Sequence, residues 1–393
     1  ALAVLLLSSA GVIAHGLYAA SHRRLGFASD DVVTFELAPV KAYYPDAVLV
    51  QDLSQALVHR LRAIPGVTDA AVTTNLPASD ALYGQFQNGM KTPDGKQFSA
   101  QFHGVGSGFF ELFAIALREG RVFTRNDTHG SEPVAVVSQG LADAYYGGHA
   151  VGKTIMVEVS SGPAQPVRIV GVVDDTYQLG PLQSKQPMLY MPLAQMPEKT
   201  LGIFLDLEPL RFAIRGHGSL VDWRADVARI IAEVVPGQPI AHLRSMDSIV
   251  KETTADARIS MLLVGLFASL SLLLAAAGMY AVMAVAVAAR EREFGVRAAL
   301  GASPLRLVEL ILHGGLLQIA IGLVIGNGLA WLTSRLLTRH LVALSNFSGI
   351  GDSFEPLVVA SVCVLLALSG LVACLLPALR AGRVHPMCAL RGE

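Results

Sequence analysis

Residues 147–154 read GGHAVGKT, which fits the phosphate-loop pattern G-x-x-x-x-G-K-[ST] letter for letter. In a phosphate loop a buried strand delivers the turn and a helix leaves it, so that backbone N–H groups and the helix N-terminus converge on the phosphates. The flanking residues predict the reverse order. Upstream, EPVAVVSQGLADAYYG gives a short apolar strand, Val134 to Val137, and then a helix with Leu141, Ala144 and Tyr145 on one face. Downstream, KTIMVEVSS places Ile155, Val157 and Val159 on one side of an alternating run, a half-buried strand. The one apolar strand ending in aspartate, VRIVGVVDD, closes at Asp175 after only a hairpin-sized gap and makes a poor magnesium partner. Lys153 is therefore expected in a structural loop.

The other residue types that do chemistry are scattered. His103, His129 and His149 are well separated and lack metal-ligand spacing with a cysteine or carboxylate pair. Ser107, in HGVGSGFF, has Val105 and Phe109 at the ±2 positions, so it is no nucleophile elbow. Asp174 and Asp175 are adjacent, and adjacent strand side chains point to opposite faces, which argues against paired acid–base work. The three cysteines, Cys363, Cys374 and Cys388, all lie near the C-terminus, leaving the large polar region without a disulfide framework. No catalytic residue, metal site or bound cofactor is expected in this chain.

The elements that carry these residues divide sharply by composition. Of 393 residues, 52% are hydrophobic and 16% charged, and the mean hydropathy is +0.50, against a charged share of roughly 25% in an ordinary soluble domain. The surplus is confined to the two ends, whereas residues 28–255 have a soluble mixture. A net charge of −1 gives no sign of a nucleic-acid partner. Three segments reach the roughly 20 apolar residues that cross a bilayer: Ile259–Ala289, Leu310–Leu332 and Pro356–Leu379. A fourth, Ala1–Ala20, lacks a charged leader and a clear A-x-A site, and reads as a transmembrane helix with a truncated start rather than a signal peptide. None carries a carboxylate, lysine or arginine at its middle, which leaves an ion pathway or proton relay without a carrier. Gly322 and Gly326 form a G-x-x-x-G pair suited to close helix packing. Arg290, Arg292, Arg297 and Arg306 after the second span, with Arg380, Arg383 and Arg391 after the last, place those regions in the cytoplasm. Arg23, Arg24, Arg335 and Arg339 fall on the outer side, against that rule.

Within the outer region, residues 28–76 read as strand VVTFELA, a helix with Leu49, Leu53, Leu57 and Leu61 at helical spacing, a Pro-Gly break and strand TDAAVTTNL. Residues 210–250 repeat the scheme, with RFAIRG, VDWRADVARIIAEV, PGQP and IAHLRSM. Two such units predict one split β-α-β subdomain, 28–76 plus 210–250, with a mostly β subdomain inserted at 77–205.

The most informative stretch is MYAVMAVAVAAREREFGVRAALGASPLRLVELIL, Met279 to Leu312. A long apolar helix ends in a loop of alternating charge, 290–308, and Ser303-Pro304 starts the next helix. The loop resembles the coupling helix of FtsX-like and MacB-type ABC transporter permeases, R-x-R-E-[FI]-G-[IV]-R-x-A-L-G-A, at Arg290, Arg292, Glu293, Phe294, Gly295, Val296, Arg297, Ala299, Leu300, Gly301 and Ala302. The closing LLPALRAGRVHPMCALRGE is similar to that family's terminal P-A-x-R-A-x-x-x-x-P-x-x-A-L-R-x-E. SGFFELFAIALREGRVFTRND, PVAVVSQGLADAYYGGHAVGKTI, VRIVGVVDD and MLYMPL resemble, in order, the landmarks of the family's periplasmic core.

The resemblance implies a membrane α-helical protein of four transmembrane helices, with a large α+β extracytoplasmic domain (28–255) inserted between the first and second and a permease domain at 259–393. It implies a multi-pass protein of the bacterial inner membrane, not itself an enzyme. ATP and Mg would be bound by a separate cytoplasmic ATPase, docked through Arg290, Glu291, Arg292, Glu293, Phe294, Gly295, Arg297, Leu300 and Gly301. The further partners implied are the lipid bilayer, a second permease copy or tandem half, and a periplasmic protein. The function implied is mechanotransmission, with export of macrolide, peptide or lipoprotein substrates. The alternative is a membrane-anchored regulator that binds an outer partner without transport.

Overall fold

The computed structural model describes residues 7, 11, 14–19, 22–39, 47–79, 87–157, 164–181, 184–218, 220–235, 238, 240–290, 293, 304–341 and 356–381. Two compact units emerge: residues 22–255 form one, and residues 1–21 with 256–393 the other.

The first unit opens with β1 (Val32–Leu37), α1 (Ala47–Leu61) and β2 (Val67–Thr73), and closes with β10 (Leu210–Gly216), α5 (Leu220–Val234) and β11 (Ala241–Ser245). The four strands lie in the order β11-β1-β10-β2, every neighbour antiparallel. The two β-α-β halves therefore interleave, each half's strands separated by one from the other. Alternation decides the faces: Val33, Phe35 and Leu37 of β1 meet Leu57, Leu61, Phe212 and Trp223 in one core, while Val32, Ala71 and Ala213 enter another. The Phe35 and Phe212 rings stack at 5.2 Å. The edge strand β11 is irregular, with His242 at φ 50° and a register shift opposite Thr34–Glu36, which blunts it as a template for further pairing.

Between these halves come β3 (Gln87–Lys91), β4 (Gln97–Val105), α2 (Phe109–Leu112), β5 (Leu117–Gly120), β6 (Val134–Ser138), α3 (Gln139–Tyr146), β7 (Thr154–Val157), β8 (Gln165–Val173), β9 (Met188–Pro192) and α4 (Glu198–Leu207). Strands β4, β3, β7, β8, β6 and β9 run side by side, and β9 also pairs in parallel with β4, Gln101 opposite Met188 through Val105 opposite Pro192. The strands thus close into a ring, which removes free edges. Ring and open sheet meet at one registered pair, Thr73 opposite Val105, flanked by Thr74 N–H to Gly104 O at 2.9 Å and Gly106 N–H to Val72 O at 2.7 Å.

The helix α6 (Met246–Glu252), capped by Ser245, leads through a turn at Thr253–Thr254 into α7 (Ala255–Ala289). The helical run 246–289 is long and apolar enough to cross a membrane, the one such run among the described residues; 313–329 and 360–375 are shorter apolar stretches within α8 (Pro304–Leu341) and α9 (Pro356–Ala381).

Candidate functional site

The charged elbow lies between α7 and α8. Arg290 closes α7, its N–H donating to Val287 O at 3.1 Å, and Glu293 is helical and exposed. Glu291, Arg292, Phe294, Gly295, Arg297, Leu300 and Gly301 lie outside the described residues. Beyond them, Pro304 takes the first turn of α8, where a missing N–H costs nothing.

Gly315 and Gly370 sit at close approaches between the apolar helices. A Cβ on Gly315 would lie 2.9 Å from Cys374 Sγ, and one on Gly370 would lie 2.7 Å from Ile319 Cδ1. Gly326 is buried, but Gly322 faces open space within this chain. Next to Gly326, Asn327 Nδ2 donates to Leu323 O at 3.0 Å and reaches Cys363 Sγ at 3.1 Å, a polar link between α8 and α9.

In the unit formed by residues 22–255 the GGHAVGKT segment leaves a helix and enters a strand. Gly147 ends α3 in the left-handed conformation that only glycine adopts without strain. Lys153 Nζ donates to Tyr146 O at 3.0 Å and sits over the Tyr146 ring. The lysine thus serves the negative end of a helix, where a phosphate loop would present a positive one.

The histidines are apart. His103 is fully buried on β4, edge-on to Tyr190 with ring centres 5.9 Å apart, and neither ring nitrogen has a hydrogen-bond partner. Burial, helped by the nearby Arg211 guanidinium, pushes its pKa down to about 3, so the ring is neutral. His149 is exposed, 3.8 Å from Glu119. Asp174 is held by Arg118, while Asp175 accepts from the Gly140 N–H at 2.8 Å. Among the described residues no group of three His, Cys, Asp or Glu side chains is placed to hold a metal.

What these residues do assemble is a cleft of about 440 Å³ where sheet and ring meet, within the size range of ligand pockets. Helix α1 supplies one wall with Gln51, His59 and Arg62; Phe123, Arg125 and Asp127 line the other. Gln51 Nε2 spans the junction to Leu193 O at 2.8 Å. Arg62 is fixed by Asp69 at 3.0 Å and by the Ser107 carbonyl at 3.0 Å. Asp127 takes a bidentate contact from Arg121, 2.8 Å on each oxygen, and the Thr124 N–H at 2.7 Å. Its partial burial favours the neutral acid, but the Arg121 and Thr124 hydrogen bonds outweigh that and hold its pKa below the usual carboxylate range. The cleft can seat a mixed polar and apolar ligand; its walls hold no paired nucleophile and base. Sequence reading missed it because its residues come from five separated places, 51–62, 72, 105–107, 123–128 and 192–194.

Two family models match this chain: the MacB-like periplasmic core domain over residues 1–237 and the FtsX-like permease C-terminal domain over 265–386. The chain is 27% identical to the macrolide export ATP-binding/permease protein MacB of Chromobacterium violaceum over 75% of its own length, and spans 44% of that protein. It is 22% identical to the uncharacterized ABC transporter permease YknZ of Bacillus subtilis, covering 89% of this chain and 81% of that one. The crystal structure of the periplasmic region of MacB from Actinobacillus actinomycetemcomitans aligns with a TM-score of 0.40 at 15% identity, over 58% of this chain and 95% of that one.

Proposed function

The chain belongs to the FtsX-like, MacB-type family of ABC transporter permeases, and on that premise we propose that it is the permease subunit through which a separate cytoplasmic ATPase moves the outer unit. The observation that carries this reading is the succession of a periplasmic core match and a permease match along one chain. In this proposal the apolar segment before residue 22 and helices α7, α8 and α9 make four crossings of the bacterial inner membrane, with residues 28–255 outside. The elbow from Arg290 to Gly301 docks on the ATPase, which binds ATP and Mg. A second copy, or a tandem half, completes the permease. The arrangement suits transmission of movement: α7 is a 35-residue helix, about 52 Å at 1.5 Å per residue, longer than a hydrocarbon core of about 30 Å. The relatives named for macrolide and pyoverdine export support an efflux role, and the cleft beside α1 is our candidate place for cargo or a periplasmic partner.

The test is to purify the tagged full-length protein from its native membrane in mild detergent and identify co-eluting proteins by mass spectrometry, with Glu293→Lys alongside. An ATPase that elutes with the parent and is lost from the variant is the expected result. Absence of any ATPase from the parent would remove the energy source and leave a membrane-anchored regulator as the better reading.

A further inference from the structure

Two cations meet over one tyrosine where the chain enters the outer unit. Arg23 Cζ lies 6.0 Å from the centre of the Tyr177 ring and Lys185 Nζ lies 5.3 Å from it. The arrangement is tied down: Arg23 Nη1 donates to Pro181 O at 3.1 Å, and the Tyr177 N–H donates to Leu25 O at 3.0 Å. On its other flank the same loop packs against the chain's exit from the unit. Gly180 has φ +92°, and a Cβ there would lie 2.6 Å from Thr253 Oγ1, two residues before α7.

Arg23, Arg24 and Lys185 are exposed, and no carboxylate among the described residues pairs with them. Three acidic side chains of this unit are engaged elsewhere: Asp175 with the Gly140 N–H, Asp247 with the Ser29 hydroxyl, Glu252 with Arg244. Like charges gathered at one ring repel, and the ring's quadrupole offsets only part of that. An anion that contacts both cations would offset the rest.

Chain continuity says which anion. The apolar run of α7 begins at Ile259, four residues past Ala255, about 6 Å along the helix. The apolar N-terminal run ends at Ala20, three residues before Arg23. If both runs cross the bilayer, Arg23, Tyr177 and Lys185 stand at headgroup level, where amphipathic aromatic and basic side chains are favoured. We propose that Arg23 and Lys185, both held at the Tyr177 ring, bind the phosphate of an anionic phospholipid headgroup in the outer leaflet. This rests on the reading that the helices flanking residues 22–255 cross a membrane, and not on the ATPase. It also gives a purpose to arginines that run against the positive-inside pattern.

Native mass spectrometry of the full chain in mild detergent, titrated with phosphatidylglycerol or phosphatidylcholine of the same acyl chains, tests it. The parent should retain phosphatidylglycerol preferentially, and Arg23→Gln with Lys185→Gln should reduce that preference about thirtyfold. Lys185→Gln alone, at an exposed position that leaves the fold untouched, should reduce it about fivefold. Lys96→Gln with Lys153→Gln removes two other cations from tyrosine rings and should leave the preference intact. Equal retention of the two lipids by the parent, an equal loss in the Lys96/Lys153 variant, or displacement by millimolar inorganic phosphate would overturn the proposal. A chain recovered in the soluble fraction without detergent would overturn the membrane reading together with it, whereas a membrane-bound chain with no lipid preference overturns this proposal alone.

Discussion

The two units use the same residues to opposite ends. In the outer unit Leu57 and Leu61 of α1 are 0% exposed, whereas Leu273 and Val285 of α7 are 67% and 70% exposed. Leucine on α1 is placed by periodicity, since only one face of that helix meets the sheet. Leucine on α7 recurs on every face, so its burial is left to whatever surrounds the helix. Apolar content by itself says how much surface needs hiding; its angular distribution says whether protein or lipid hides it.

The largest expected break in this comparison comes from truncating matched apolar residues in the two units. Phe212→Ala removes a fully buried ring stacked on Phe35 and should cost about 3–5 kcal/mol, read as a lowered denaturation midpoint of the outer unit in detergent-solubilised protein. Leu273→Ala should shift the same midpoint by less than about 0.5 kcal/mol. A comparable loss from both would mean that α7 is buried against protein.

Acid sharpens the contrast next. His103 stays neutral in the folded unit down to about pH 3, while an unfolded histidine protonates near 6.5. Between those values the unfolded state binds the extra proton, so stability is full above about pH 6.5 and falls as pH drops toward 3, by on the order of 5 kcal/mol for this one group. Unfolding followed by tryptophan fluorescence across that range should show the slope, and His103→Phe should flatten it. The apolar helices hold no such buried histidine among their described residues, so their helicity should not follow the same curve.

The smallest effect tests local signals. Ser138 caps α3, its Oγ accepting from the Leu141 N–H at 3.4 Å and from the Met188 N–H at 3.1 Å. Ser138→Ala should cost about 1 kcal/mol in thermal melts of the outer unit and leave lipid retention unchanged.

Legibility in the sequence follows the range of the interaction. Strand β1 is visible in the alternation of VVTFEL, and α1 and α5 in their leucine and isoleucine spacing ended by Pro-Gly. The character of GGHAVGKT follows from the order of its neighbours, helix before and strand after. These are interactions within a few residues. The ring closure is not visible, because pairing Gln101–Val105 with Met188–Pro192 joins segments nearly ninety residues apart, and a period of two names the buried face without naming the partner strand. The cleft and the Arg23–Tyr177–Lys185 cluster are hidden for the same reason. The close approaches at Gly315 and Gly370 are equally hidden, because a glycine spacing shows where close approach is allowed, not which neighbour arrives.

The narrow junction between sheet and ring has a mechanical meaning. Each plate is held by rows of strand bonds, whereas the backbone bonds between them are one residue pair and a few bonds around Thr73, Thr74, Gly104 and Gly106, laid over an apolar core that both plates share. Any shift of sheet against ring has to slide that shared core, and the volume of the cleft beside α1, lined from both plates, is the quantity such a shift changes.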